Sequence, residues 1–203
     1  MNSRHSKVTD WGLSHISIAK HDIVLDIGCG GGRTVSKLAA MASQGKVYGV
    51  DFSTESVAVA SKTNKQWIDM HRVEIREGAV SQLPFSENVF DVVTAVETHF
   101  WWPDLPADMR EVLRVLKPGG TLIIVAEIYR GAKTMTAKAA EKYLPLSGMT
   151  LMSADEHRDL FANAGYSNVQ VIEESHKGWI CGTGRKPSKL GNSVSQISKK
   201  DPE

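Results

Sequence analysis

The feature that most constrains the fold is a run of glycines directly behind a short apolar segment. Residues Ile23–Ile27 are apolar at four of five positions, and glycine occupies positions 28, 30, 31 and 32. A buried strand that ends in glycines and continues into a helix predicts an α/β unit with a ligand loop, because glycine tolerates positive φ and admits a ligand close to the backbone. Amides at the helix start favour a negatively charged group. The alternative is a turn that only connects strand and helix.

Short apolar segments alternate with stretches of helical periodicity along the rest of the chain. Strands are predicted at 23–27, 47–50, 73–76, 90–96 and 121–126, with weaker ones at 168–172 and 179–181. Helices are predicted at 8–18, 34–42, 54–70, 107–116 and 153–164, and Gly119-Gly120 are expected to end the fourth of these. The alternation predicts a doubly wound, mostly parallel α/β sheet of seven strands with helices on both faces, over residues 1–185. The polar tail, 186–203, is predicted to be disordered.

The composition argues against several classes of protein. Of the 203 residues, 41% are hydrophobic and 23% are charged, and 24 Lys and Arg balance 23 Asp and Glu. This balance disfavours a nucleic-acid binder. No apolar run reaches the roughly 18 residues of a membrane span, and the N-terminus lacks the apolar core of a signal peptide. We therefore expect a cytoplasmic protein, and no metal site, since Cys29 and Cys181 lie far apart in the sequence.

A carboxylate at the end of the second predicted strand indicates that the ligand contains a nucleoside. Asp51 follows Gly28 by 23 residues, where a carboxylate can accept hydrogen bonds from a ribose diol. Its structural alternative is a cap on the helix that begins at Thr54. A dinucleotide fingerprint is disfavoured because Arg33 stands at its third glycine position and Asp26 interrupts the preceding strand.

With these motifs in place, the sequence resembles the class I S-adenosylmethionine-dependent methyltransferases, over about residues 8 to 185. The blocks that carry the resemblance are VLDIGCGGG at 24–32, VDFS at 50–53, LPF at 83–85 with FDVV at 90–93, and RVLKPGG at 114–120. The resemblance implies a Rossmann-like sheet, S-adenosylmethionine as cofactor and S-adenosylhomocysteine as product.

The resemblance also assigns cofactor contacts. Asp26 and the loop backbone would hold the methionine end, Asp51 the ribose and Phe52 the adenine. Ala79 stands where many relatives carry a carboxylate for the adenine amino group, so this contact would fall to backbone atoms. The implied cofactor-binding residues are Asp26, Gly28, Cys29, Gly30, Asp51, Phe52, Gly78, Ala79, Val80, Val96 and Glu97.

The segment behind the fourth strand is expected to face the methyl acceptor. His99 and Glu97 are the candidates for a general base, although positioning alone can supply much of the rate. The candidate acceptor-binding residues are His99, Trp101, Trp102, Tyr129 and Tyr143. Residues 130–152 are predicted to form a short lid, with an ordinary crossover helix over 132–143 as the alternative. His157 and Glu156 are expected on a solvated helix face.

These expectations lead to a methyltransferase that moves a methyl group to a small-molecule acceptor by in-line displacement. No nucleic acid or membrane is expected as a partner, and both monomer and homodimer stay open. The alternatives are an S-adenosylmethionine-binding protein without catalysis, methylation of a macromolecule, and a dehydrogenase of related topology.

Overall fold

A computed structural model describes residues 4–143 and 148–188. The strands are β1 Ile23–Ile27, β2 Lys46–Asp51, β3 Val73–Glu77, β4 Phe90–Val96, β5 Leu116–Ala126, β6 Ser167–Glu174 and β7 Trp179–Arg185. They form one sheet in the order β3-β2-β1-β4-β5-β7-β6. The helices are α1 Arg4–Leu13, α2 Arg33–Met41, α3 Thr54–Thr63, α4 Lys65–Asp69, α5 Leu105–Val115, α6 Met135–Tyr143 and α7 Ala154–Asn163. Short 3₁₀ turns span Val80–Gln82 and His99–Trp101.

The sheet is parallel from β1 to β5, and only β7 runs antiparallel to its neighbours β5 and β6. The carboxyl ends of the five parallel strands therefore meet at one edge. The chain order reverses between β1 and β4, which leaves a crevice at that edge, where ligands of open α/β sheets bind. The predicted fold class is confirmed.

Helices cover both faces of the sheet because successive strand residues point to opposite sides. Val24 packs with Val35 and Leu38 of α2, whereas Leu25 packs in a second cluster with Met109 of α5 and Phe161 of α7. All of these side chains are fully buried. A strand that is apolar on both faces is stable only between two such layers.

Two element boundaries differ from the sequence prediction for identifiable reasons. The predicted helix over 54–70 is divided at Asn64, whose buried amide donates to the carbonyls of Gly32 (2.9 Å) and Ala60 (3.0 Å). Strand β5 begins at Leu116 rather than at position 121, so Gly119-Gly120 do not end a helix. They belong to an irregular start of β5, where its register with β4 shifts.

The crossover between β5 and α7 contains the helix α6, while residues 144–147 of the predicted lid lie outside the described residues. Thr150 N donates to the carbonyl of Phe100 (3.0 Å), which ties the end of this crossover to the loop behind β4. Strand β7 ends at Arg185, and residues 189–203 of the predicted tail are likewise not described. Within the described ranges, no helix is long and apolar enough to cross a membrane.

Candidate cofactor and acceptor site

The glycine loop lies at the carboxyl end of β1 and opens towards solvent. The amides of Gly28 and Cys29 donate to the carbonyl of Val50 (2.8 and 3.0 Å), which fixes the loop against β2. Gly28 has φ +68°, and a Cβ there would lie 2.2 Å from Thr98 Oγ1. At Gly30, φ is +49° and no heavy atom lies within 4 Å of a Cβ position. The loop therefore packs closely against Thr98 at Gly28 and leaves free space, an open cradle, beside Gly30.

Cys29 is a packing residue within this loop. Its side chain is buried, and burial, with the charges of Asp26 and Asp51, raises the pKa of the thiol. The thiolate that a nucleophile requires is therefore disfavoured.

Asp51 holds the loop and does not cap the following helix. Its Oδ2 accepts from the amide of Gly30 (2.8 Å) and its Oδ1 from that of Ser53 (3.0 Å). The cap of α3 is Ser53, whose hydroxyl accepts from the amide of Ser56 (3.2 Å). A carboxylate with one bond to each oxygen retains acceptor capacity for a ribose diol.

Asp26 lies beneath the loop in an apolar environment. Only 2% of its surface is exposed, and its Oδ1 accepts from Thr94 Oγ1 at 2.6 Å. Burial raises its pKa to about 7, against the hydrogen bond from Thr94, and the charge of Asp51 adds to the rise. An ammonium group beside it would favour the ionised carboxylate.

The side of the site to which the resemblance assigns the adenine carries an exposed aromatic ring. Phe52 is 78% exposed directly behind Asp51. Ala79 is extended, with φ −97° and ψ 152°, and Val80 after it is buried. The amide of Gly78 donates to the carbonyl of Asp51 (3.0 Å) and so joins the ends of β2 and β3. An exposed aromatic face beside a fixed backbone suits a nucleobase without requiring a carboxylate at position 79.

Glu97 marks the end of β4 with a strained backbone. Its φ is +58°, a region that glutamate rarely adopts. Its carboxylate accepts from the amide of Glu127, and its own amide donates to the carbonyl of Val125 (2.9 Å). Val96, before it, packs on the α1 side with Val125. Sequence reasoning missed Glu127, although a charged residue directly after the apolar run of β5 was a usable signal.

His99 is buried and pairs with a residue that was expected in solvent. His99 and His157 are 2% and 1% exposed, and their Nε2 atoms lie 3.0 Å apart. Burial lowers the pKa of both rings, and the charge of His157 lowers that of His99 further. The expectation of a solvated His157 is wrong, because it lies on the face of α7 that also carries Phe161, four residues on.

The predicted acceptor-binding aromatic residues separate into two groups. Trp101 and Tyr143 are 54% and 59% exposed. Trp102 packs in the main core and Tyr129 in a smaller cluster with Ile180. Trp102 therefore cannot offer an accessible surface to an acceptor, since it is buried in the main core, and Tyr129 is likewise buried. Within the described part of the chain, no group of three or more His, Cys, Asp or Glu could hold a metal ion.

Known proteins match both the motifs and the fold. A family model described as "Methyltransferase domain" matches residues 25–124. A demethylmenaquinone methyltransferase of Anoxybacillus flavithermus is 31% identical over 180 residues, 78% of this chain and 76% of the relative. One of Staphylococcus saprophyticus is 29% identical with the same coverage. A solved structure of a SAM dependent methyltransferase from Aquifex aeolicus has a TM-score of 0.73 at 20% identity, covering 90% of this chain and 93% of that one.

The structural likeness supports the fold, and the sequence relatives establish the family. The open cradle at Gly30 and the carboxylates of Asp26 and Asp51 fit an amino-acid-bearing nucleoside. The chain therefore belongs to the class I S-adenosylmethionine-dependent methyltransferases, with S-adenosylmethionine as its cofactor.

Proposed function

We propose that this methyltransferase acts on a small molecule with a flat, largely apolar body, bound beside the loop that follows β4. The observation that carries the proposal is the exposure of Trp101. Within this loop, Trp102 is buried and Phe100 packs against a cluster that contains Tyr129, whereas 54% of Trp101 faces outward. An exposed indole offers a stacking surface for a planar acceptor.

In this proposal, different site residues bind the two ends of the cofactor. S-adenosylmethionine supplies a methyl group on a sulfonium, which is already activated for displacement. The chain's part is to position that group: Asp26 and the loop amides hold the amino-acid end, while Asp51 and Phe52 hold the nucleoside. Fixing two reactants in line accounts for about 7–11 kcal/mol of barrier in well-oriented systems.

The relatives and the charge balance support a small acceptor. Both curated relatives are named for a small-molecule acceptor. The balance of 24 basic against 23 acidic residues offers no electrostatic surplus for a polyanion, whose binding depends on phosphate neutralisation. A protein or RNA acceptor is the less supported case.

Binding without catalysis is the second candidate, and Ala79 is the observation that favours it. The missing carboxylate removes one charged partner of the adenine. A single hydrogen bond is worth about 0.5–1.5 kcal/mol net, so its loss weakens cofactor binding by about two- to tenfold and does not by itself abolish methyl transfer. We therefore rank methyl transfer first.

The test combines binding with turnover. Calorimetry should detect S-adenosylhomocysteine binding, and radiolabelled methyl transfer should then be followed with phenolic and quinol compounds, bulk tRNA and a protein mixture. Transfer to a small compound supports the proposal. Transfer only to tRNA or protein would refute it, and binding with no transfer to any acceptor would favour the second candidate.

A matched pair of variants locates the acceptor. Trp101→Ala should raise the acceptor KM and leave S-adenosylhomocysteine affinity unchanged. Met70→Ala is the control, because Met70 is 56% exposed at the end of α4, away from the loop behind β4. An unchanged acceptor KM in Trp101→Ala would remove this residue from the site.

A further inference from the structure

The buried histidine pair has a direction that follows from its hydrogen bonds. His157 Nδ1 lies 2.7 Å from the carbonyl oxygen of Ser153. A carbonyl oxygen only accepts, so this nitrogen carries a proton and donates. In a neutral imidazole one nitrogen donates and the other accepts. His157 Nε2 is therefore an acceptor.

The tautomer of His99 follows from that of His157. His157 Nε2 lies 3.0 Å from His99 Nε2 and needs a donor there. His99 therefore carries its proton on Nε2, and its Nδ1 holds a lone pair. Both rings are buried and both pKa values are lowered, so the neutral forms apply.

His99 Nδ1 takes no part in these hydrogen bonds. It is buried and has no hydrogen-bond partner among residues 4–143 and 148–188. Most buried polar atoms do have a partner, and an unmatched one is destabilising. No hydrogen bond within the described residues offsets this cost for the lone pair of His99 Nδ1. We therefore expect a bound ligand to supply the missing donor.

The position of His99 points to the same ligand. It opens the 3₁₀ turn behind β4, directly after Thr98, whose side chain contacts the Cα region of Gly28 in the cofactor loop. The exposed Trp101 closes the same turn, its amide donating to the carbonyl of Thr98 (3.0 Å). His99 is thus carried by the turn that joins Thr98, beside the cofactor loop, to the exposed Trp101.

We propose that His157 is a positioning residue that fixes the Nε2–H tautomer of His99, so that His99 Nδ1 takes the proton of an O–H group on the methyl acceptor. This inference rests on the proposed function. It assigns the acceptor class as hydroxyl-bearing, phenolic or enolic. Because Nδ1 is shielded from solvent, the acceptor has to displace the side chains that cover it.

The proton step balances without a further reactant. The O–H electron pair stays on the acceptor, the proton goes to Nδ1, and His99 becomes an imidazolium. The acceptor gains the methyl group, the electron pair of the broken carbon–sulfur bond stays on sulfur, and the positive charge of the sulfonium ends as the proton on His99. This proton leaves to water after release of the product.

Nitrogen NMR tests the tautomers in the protein without acceptor. Long-range ¹H–¹⁵N spectra at pH 7.5 should show His157 with its proton on Nδ1 and His99 with its proton on Nε2. His176→Gln, which removes an exposed histidine outside the site, helps assignment and should not change either pattern. A His99 ring protonated mainly on Nδ1, or charged, would overturn the proposal.

Two substitutions of His157 separate positioning from folding. His157→Phe keeps an aromatic ring without the Nε2 acceptor, and should allow His99 both tautomers and lower kcat by about tenfold or more. S-adenosylhomocysteine affinity should stay unchanged. His157→Gln, whose amide oxygen can accept from His99 Nε2–H, should restore most of kcat and the single tautomer.

The outcomes distinguish this inference from the proposed function. If His157→Phe retains wild-type kcat with a hydroxyl-bearing acceptor, the inference fails and the proposed function stands. If the wild type methylates no small molecule, the proposed function fails, and with it the acceptor assignment, whatever the tautomers. Should His157→Phe not fold, the wild-type spectra and His157→Gln decide.

Discussion

Asp26 offers a quantitative test of the cofactor site, because its burial couples binding to pH. Its pKa rises from 3.8 to about 7 in the folded chain. Each pKa unit corresponds to about 1.36 kcal/mol, so holding this carboxylate ionised costs about 4 kcal/mol. An Asn at this position has nearly the same shape and no charge. Asp26→Asn should therefore remove the cost.

The direction in which Asp26 changes stability with pH depends on how many protons the folded and unfolded chains bind. Between pH 4 and 7 the folded protein keeps a proton on Asp26 that the unfolded chain has lost, so the stability of the wild type falls as pH rises through this range. The free energy of unfolding of Asp26→Asn relative to wild type should increase from pH 5.0 to 8.0 by about 1–3 kcal/mol. Urea unfolding at both pH values measures it.

Ligand binding should show the complementary effect. If the ammonium of the cofactor pairs with the ionised carboxylate, binding releases the proton that Asp26 carries below its pKa. With a pKa of about 7, S-adenosylhomocysteine affinity should rise about eightfold from pH 6.0 to 7.5 in the wild type. Asp26→Asn should bind more weakly and with little pH dependence.

Two control variants show whether the pH dependence belongs to Asp26. Thr94→Val removes the hydroxyl that lowers the pKa of Asp26 and should move the change in affinity to higher pH. Asp69→Asn alters an exposed carboxylate on α4 and should change neither profile. A wild-type affinity that does not vary with pH, or equal effects of Asp26→Asn on stability at both pH values, would refute the reasoning.

Three further substitutions test the loop and its surroundings. Gly28→Ala should destabilise by about 2–4 kcal/mol in urea unfolding, because it combines positive φ with a clash against Thr98, whereas Gly119→Ala meets no atom within 4 Å and should cost about 1 kcal/mol. Phe52→Ala should leave the melting temperature unchanged and weaken S-adenosylhomocysteine binding in calorimetry, since the ring is exposed. Asn64→Leu should lose about 2–4 kcal/mol of unfolding free energy, because its hydrogen-bonded partners stay buried; a loss below about 0.5 kcal/mol in the same assay would contradict this.

The sequence predicted the sheet well because its signals are local. Each strand of the parallel part is a short apolar run bounded by turn residues, and β1 and β4 match the predicted bounds. Asp51 and the glycine loop could also be predicted from the sequence, since each follows the end of a predicted strand and so lies at one edge of the sheet. The start of β5 could not be predicted, because Gly119 and Gly120 indicate a turn in any context.

Contacts between distant segments account for what the sequence could not predict. Trp102 and Trp101 are identical neighbours, yet one is buried in the main core and the other is exposed, and only tertiary packing decides which. His157 lies 58 residues from His99, and a polar residue in an amphipathic helix gives no sign of its partner. A buried pair of this kind depends on tertiary structure alone.

Backbone strain gives an independent reason to place function at the end of β4. Four non-glycine residues have positive φ: His71, Asn88, Glu97 and Asn168 among those described. Asn and His tolerate this region, but glutamate does not have their short polar side chain, so Glu97 carries a cost of about 1–3 kcal/mol. That conformation is held by the amide of Glu127 and by the carbonyl of Val125. The strain turns the chain away from β4 at the residue before Thr98, which contacts the glycine loop. Strain of this kind clusters at functional sites, so the segment that follows β4 is the first candidate for contact with the cofactor or the acceptor.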